Sequence, residues 1–144
     1  NAKNVTLNVG ANTVTVVVTA QDGMTTKTYT ITVTRAKSSN ADLNALTLSA
    51  GTLTPGFTTG DVSYTASVGN AVTSIDVTPT VADSTATVTV NNDTINSGSA
   101  KHVTLGVGTN TVTVVVTAED GTTTKTYTIT VTRAKSSNAD LSAL

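Results

Sequence analysis

The segment Thr126-Tyr127-Thr128-Ile129-Thr130-Val131-Thr132 alternates threonine with a larger, more apolar side chain at every position. Successive side chains of a β-strand point to opposite faces of a sheet. The alternation therefore predicts a strand with Tyr127, Ile129 and Val131 inside and the threonines outside.

The same alternation recurs in about seven short segments, in a chain that is dominated by threonine and valine. Branched side chains of this kind favour a pleated surface over a helix. Short strands with one apolar face each can close a core only as two sheets packed face to face, so we predict an all-β, two-sheet β-sandwich. The predicted core residues are Leu46, Leu48, Tyr64, Val68, Ile75, Val77, Val88, Leu105, Val112, Val114, Val116, Tyr127, Ile129 and Val131.

Composition excludes several classes of function for these 144 residues. The eight basic residues are scattered singly and are offset by nine acidic ones, so we expect no nucleic-acid partner. The longest run of branched apolar residues has three members, so no membrane insertion is expected in this segment. The chain has no cysteine, which excludes disulfides, thiolate metal sites and cysteine nucleophiles.

The chain also repeats itself. Val5-Thr6-Leu7 recurs 98 residues later as Val103-Thr104-Leu105, and Lys3–Leu46 differs from Lys101–Leu144 at six of 44 positions. A period of this length corresponds to a whole domain, whereas the units of a solenoid are 20–50 residues long. The sequence therefore predicts tandem β-sandwich repeats of 98 residues.

This period predicts the domain boundaries. A complete repeat is expected at 41–134, between identical linkers at 37–40 and 135–138. Residues 1–36 would be the C-terminal strands of a preceding, incomplete repeat, and residues 139–144 the first strand of a following one. The partners expected for such strands are neighbouring copies of the same repeat. Preceding residues of the same chain or strand exchange with another copy could complete the first repeat, and the sequence leaves both open.

Turn signals lie between the strands. Asp22-Gly23 and Asp120-Gly121 predict hairpin loops with left-handed backbone at the glycine. Pro79 cannot donate a ladder hydrogen bond, so its strand should be an edge strand or carry a bulge there. We also predict that Val107 faces inward and that Asn92–Lys101 is the least regular loop.

The segments Ala41-Asp42-Leu43, Leu46–Leu53, Val107–Val114 and Lys125–Arg133 resemble the bacterial cadherin-like β-sandwich domain family. This resemblance implies an immunoglobulin-like sandwich, used as a tandem module in large secreted or surface-anchored bacterial proteins. It implies no catalytic residues. The acidic linker motifs of calcium-dependent cadherins are missing here.

Few residues are candidates for chemistry. The only histidine, His102, is replaced by Asn4 in the other copy, so we predict no catalytic residue and no cofactor. Calcium would need several converging oxygen ligands. Asp42 and Asp140 lie near the linkers and Asp120, like Asp22, lies at a hairpin end, so Asp42, Asp120 and Asp140 are weak candidates. We expect no metal site there and interpret these carboxylates as turn and cap residues.

The sequence thus predicts a structural module, not an enzyme, in a rod, stalk or filament shaft at a bacterial cell surface or in a secreted filament. One alternative is an adhesion module that binds a surface glycan or a protein through loops such as Asn92–Lys101. Another is an accessory domain of a secreted hydrolase.

Overall fold

The computed structural model describes residues 2–140, which contain strands and turns and no helix. The predicted all-β class is confirmed. The chain divides into two compact units, Asn1–Ser38 and Ser39–Leu144, and the predicted strand beyond residue 140 lies outside the described residues. We call these units 1 and 2.

Unit 1 is a single antiparallel hairpin. Strand β1 (Gly10–Thr19) pairs with β2 (Thr26–Arg35) along its whole length, from Gly10 opposite Arg35 to Thr19 opposite Thr26. Gly23, in the loop between the strands, has a φ of +72°, the left-handed conformation that glycine adopts without a steric penalty.

The described part of unit 2 forms two sheets. The larger sheet has the strand order β4-β10-β9-β6-β7 and the smaller one the order β3-β5-β8. Neighbours run antiparallel except β4 and β10, which are parallel. The strands are β3 (Leu43–Leu48), β4 (Ser63–Val68), β5 (Ser74–Val81), β6 (Thr87–Val90), β7 (Asp93–Ile95), β8 (Lys101–Thr104), β9 (Gly108–Thr117) and β10 (Thr124–Arg133).

The core of unit 2 lies between the two sheets and contains apolar side chains from both. Of the fourteen residues predicted to form it, thirteen are buried, and Leu48 is half-buried at the end of edge strand β3. The phenolic oxygen of Tyr127 on β10 accepts a hydrogen bond of 2.9 Å from the backbone N–H of Leu43 on β3. This bond crosses the sandwich, so the largest core side chain of β10 also satisfies a buried backbone donor of the opposite sheet.

Unit 2 has eight strands within residues 39–140, where about seven were predicted. The additional strand is β7, inside the segment Asn92–Lys101 that was predicted to be an irregular loop. Asn91 and Asn92 have φ values of +49° and +72°. Positive φ at both central residues is the geometry of a tight hairpin turn, so the chain folds back into the sheet at once.

Two further expectations need correction. Pro79 lies on β5, which is the middle strand of its sheet and not an edge. The strand tolerates it because β8 pairs only with Ser74–Val77, and the register irregularity lies in β3, next to Leu43. Val107 is 53% exposed, because it falls in the turn between β8 and β9 and not on either strand.

Candidate functional site

Asp120 forms a cap in the loop between β9 and β10. Its Oδ1 accepts hydrogen bonds of 2.8 Å from the backbone N–H groups of Thr122 and Thr123, and its Oδ2 accepts one of 2.6 Å from the Thr123 hydroxyl. These bonds, that of the Thr123 hydroxyl foremost, lower the pKa of Asp120 from 3.8 to about 2. Both carboxylate oxygens therefore serve the turn.

Asp22 makes the same cap in unit 1. Its Oδ1 accepts from the backbone N–H groups of Met24 and Thr25, at 2.9 and 2.8 Å, and its Oδ2 accepts from the Thr25 hydroxyl. These bonds likewise lower the pKa of Asp22. The cap needs no partner from the rest of a sandwich, since it forms in both units.

Asp42 is committed to a different partner. Its Oδ1 lies 2.7 Å from the Nζ of Lys125, which also donates to the carbonyl oxygen of Thr59 at 2.7 Å and lies 5.4 Å from the centre of the Tyr127 ring. The bond to Asp42 raises the pKa of Lys125. The ion pair of Asp42 and Lys125 thus connects the residue before β3 with the first residues of β10.

The three carboxylates considered for calcium do not form a cluster. Asp140 is exposed, and its backbone N–H bonds to the Oδ1 of Asn138 at 2.7 Å. Across residues 2–140, no three histidine, aspartate or glutamate side chains come close enough to hold a metal ion.

His102 lies on β8, opposite Asp76 on β5. Its Nδ1 is 2.9 Å from the Oδ1 of Asp76, and the two side chains are 68% and 47% exposed. A general base needs a reacting group and some exclusion of water. An open strand surface offers neither.

The segment Asn92–Lys101, proposed as an adhesive loop, is held by hydrogen bonds and an ion pair. The hydroxyl of Ser97 accepts from the backbone N–H of Val81 at 3.0 Å, the N–H of Gly98 donates to the Pro79 carbonyl at 2.8 Å, and Lys101 pairs with Asp93 at 2.7 Å. Its ends and its middle are therefore held by β5 and by each other.

Two polar residues that the sequence analysis missed hold the end of β10. The guanidinium of Arg133 donates to the carbonyl of Asn70 at 2.9 and 2.7 Å and to that of Leu105 at 2.9 Å. Asn110 bonds through its side chain to the backbone of Gly106, Gly108 and Val131. Arg35 and Asn12 are their counterparts in the first copy, but almost every position is retained there, so no sequence signal singles these two residues out.

A shallow groove of about 260 Å³ lies between β3 and the loop that follows it. Phe57 lines this groove, and its ring stacks on the buried ring of Tyr64 with 6.1 Å between the ring centres. Gly51 is required here, since its φ is +80° and a Cβ would lie 3.2 Å from the carbonyl oxygen of Ser67. The groove is lined by Leu46, Thr47, Leu48, Gly51, Thr52, Leu53, Gly56 and Phe57.

The two-sheet sandwich has a counterpart among known families. A family model described as "Cadherin-like beta sandwich domain" matches residues 1–36 and 43–134. The chain belongs to the cadherin-like β-sandwich domain family. The resemblance inferred from the sequence is confirmed, and both the hairpin of unit 1 and the sandwich of unit 2 are parts of cadherin-like domains.

Two proteins show what the cadherin-like chain is similar to. A protein of Evansella cellulosilytica named "Putative membrane protein" is 44% identical over 61 residues, which are 42% of this chain and 9% of that protein. The chain thus spans a small part of that relative. A solved structure described as a "putative glycoside hydrolase" from Bacteroides thetaiotaomicron is similar over 71% of this chain and 27% of that chain, with 23% identity and a TM-score of 0.41. The residues described here include no helix that is both long enough and apolar enough to span a membrane.

Proposed function

We propose that this chain is a structural repeat module of a bacterial extracellular or cell-surface protein, in which tandem copies build a rod, stalk or filament shaft. The observation that carries this proposal is the distribution of differences between its two copies. None of the six positions that differ between Lys3–Leu46 and Lys101–Leu144 is a core residue of unit 2. In that unit five of them are exposed and one is half-buried: His102, Gly106, Thr109, Thr122 and Asn44 are exposed, and Glu119 is half-buried.

The copies share the apolar residues of their strands and the polar residues that stabilise their turns. The capping aspartates at 22 and 120 and the arginines at 35 and 133 are kept in both copies. The single histidine is not kept, and its place is taken by Asn4. Differences that all avoid the core and the caps support a mechanical role over a chemical one, and we propose no enzymatic activity for this segment.

Membership of the cadherin-like β-sandwich domain family supports an extracellular location. The name of the Evansella relative supports attachment to a cell envelope. We propose that the module is displayed at the cell surface or in a secreted filament, with neighbouring copies of the repeat as its main partners.

The test is the shape of an array. A protein with six consecutive copies of residues 41–138 should appear in electron micrographs as a linear particle that lengthens by roughly 35–50 Å per repeat, given strands of 5–10 residues at about 3.3 Å each and a short linker. A compact particle, or one whose length does not grow with repeat number, would contradict the proposal.

The groove at Phe57 supports adhesion as a second candidate function. It combines an aromatic ring with threonine hydroxyls at an open surface, a combination that suits a glycan. Binding of labelled glycans to the chain, lost in Phe57→Ala and kept in Val107→Ala, would support it. Equal binding by both variants would contradict it.

A further inference from the structure

We infer that Lys125 and Tyr127 form a tension clamp on Asp42 and Leu43: when the chain is pulled at the linkers on either side of unit 2, breaking these contacts is the step that limits unfolding. The inference rests on the proposed function, because the modules of a rod or stalk are loaded through their linkers. It adds which contacts carry that load.

The chain enters and leaves unit 2 at opposite ends of β10. Asp42, the residue before β3, contacts Lys125 near the start of β10, with 2.7 Å between its Oδ1 and the Nζ. The exit is at Ala134, directly after β10, where the N–H donates to the carbonyl of Val68 at 3.0 Å. Lys125 and Ala134 are nine positions apart, which corresponds to about 30 Å of strand. A pull on the two linkers therefore acts along β10.

Strand β3 runs from the entry end toward the exit end. Its last residue, Leu48, pairs with the first half of β5. The residue before β5, Thr73, accepts a hydrogen bond from the N–H of Leu105, whose carbonyl binds Arg133 at the exit end. Tension would therefore slide β3 backwards along β5. The hydrogen bonds of an antiparallel pair lie perpendicular to the strands, so such a pull loads them together.

The pairing of β3 with β5 is interrupted. Pro79, which lies opposite Leu46, has no N–H to donate, and the register shifts between Leu43 and Ala45. The bonds at the start of β3 therefore decide how much of the load reaches the pairing with β5.

Three hydrogen bonds hold the entry point to both sheets. The carbonyl of Asp42 accepts from the N–H of Ala82, directly after β5, at 2.8 Å. The Asp42 carboxylate and the Leu43 N–H bind Lys125 and Tyr127 on β10, at 2.7 and 2.9 Å. Since β10 continues covalently into the exit linker, the two contacts with β10 transmit load to the exit without passing through the rest of the core. The bond between Leu43 and Tyr127 is buried, so breaking it leaves a donor without its partner.

Single-molecule pulling on the full chain tests the clamp. The sequence has no cysteine, so Ser39→Cys and Ser137→Cys attach one handle at each linker. A second protein carries Ser99→Cys and Ser137→Cys, which leaves Asp42 and Leu43 outside the loaded segment. The lifetime of folded unit 2 is measured at constant force in both geometries.

In the linker geometry, Tyr127→Phe should shorten the lifetime about tenfold and Lys125→Met about two- to fivefold, because a contact that is broken in the transition state changes the unfolding rate by its full strength. Lys101→Met is the matched control. Its ion pair with Asp93 also measures 2.7 Å, but it joins β8 to β7 away from the clamp, so this variant should keep the unmodified lifetime. When the load is applied at residues 99 and 137, Tyr127→Phe and Lys125→Met should also keep the unmodified lifetime.

Unmodified lifetimes of Tyr127→Phe and Lys125→Met in the linker geometry would overturn the inference. So would equal shortening in the two geometries, or shortening by Lys101→Met as large as that by Lys125→Met, since the contacts would then only stabilise the sandwich as a whole. The measurement uses one chain and is independent of the micrographs of six-copy arrays, so failure of the inference and failure of the proposed function can be told apart.

Discussion

The hairpins β1–β2 and β9–β10 have almost the same sequence and the same internal geometry, yet opposite burial. Val16 pairs with Tyr29 as Val114 pairs with Tyr127, and Asp22 caps its loop as Asp120 does. The pairing and the turn therefore follow from local sequence. Burial of the apolar face does not, because it depends on the strands between residues 39 and 100.

The largest difference between the two hairpins should appear on truncation of an isoleucine. Ile129 is completely buried, whereas Ile31 is 52% exposed. Ile129→Ala should lower the free energy of unfolding by about 2–5 kcal/mol, because it removes buried methyl groups and leaves a cavity. Ile31→Ala should change the free energy of unfolding by less than about 0.5 kcal/mol, because the side chain of Ile31 is exposed. Denaturant titration of both variants measures the two values.

Thr128→Ala is the control for this pair, since Thr128 is the outward neighbour of Ile129 and should cost far less. Equal losses for Ile129→Ala and Ile31→Ala would show that the face of unit 1 is covered in solution. Equal, small losses for Ile129→Ala and Thr128→Ala would contradict the inside and outside assignment of β10.

A smaller difference should separate the two tyrosines. Tyr127→Phe removes the acceptor of the buried Leu43 N–H and should cost about 1–3 kcal/mol, the penalty of an unsatisfied buried donor. Tyr29→Phe should leave the melting of unit 2 unchanged. Thermal melts followed by circular dichroism distinguish them, and a harmless Tyr127→Phe would mean that the Leu43 N–H finds another acceptor.

This comparison also explains what the sequence could predict. Alternation marks which residues face inward wherever a strand continues through the position, and thirteen of the fourteen predicted core residues are buried. It fails at strand ends. Val107 follows the inward parity but lies in a turn, and Leu48 is half-buried because β3 ends at an open edge of its sheet.

Contacts between distant residues were beyond a reading of alternation. Asn91 and Asn92 end β6, and their left-handed conformation also starts β7, within the segment that was predicted to be the least regular loop. The carbonyls that Arg133 binds lie 63 and 28 residues away, and no local pattern marks them. The 98-residue period and the domain boundaries were predicted differently, by comparing residues that lie a whole domain apart in the sequence.

The ion pair between Lys125 and Asp42 should contribute modestly to the free energy of unfolding, and this contribution should be lost at high pH. The two side chains are 28% and 45% exposed, and pairs of this kind contribute about 0.2–1 kcal/mol. The bond raises the pKa of Lys125, so its contribution is complete below the ordinary lysine pKa of about 10.4 and is lost as the pH rises through the folded value.

Lys125→Met should therefore be less stable than the unmodified chain at about pH 9, and the gap should close at higher pH. Lys27→Met, its counterpart in unit 1, should leave unit 2 unaffected at either pH. A gap that is independent of pH would mean that Lys125 acts through its aliphatic stem and not its charge.

The cap at Asp120 should show the opposite dependence on pH. Its pKa is lowered to about 2, so its stabilising contribution is present above the ordinary value of 3.8 and is lost as the pH falls toward 2. Asp120→Asn should be less stable than the unmodified chain at neutral pH, and the difference should narrow as the pH falls from about 4 through about 2. Acid titration of the melting temperature tests this, with Asp22→Asn as a control that should not move the transition of unit 2.

The smallest expected effect is that of calcium, for which we predict none. Asp120 uses both oxygens in its own loop, and Asp42 is paired with Lys125, whose ammonium group would repel a cation. A ligand that binds only the folded state raises the melting temperature, by an amount that grows with its concentration over the dissociation constant. Melts of a protein with two complete repeats should therefore coincide in millimolar calcium and in chelator. A rise of about ten degrees in calcium would instead identify a junction site, and Asp42→Asn and Asp140→Asn would then show which carboxylate supplies it.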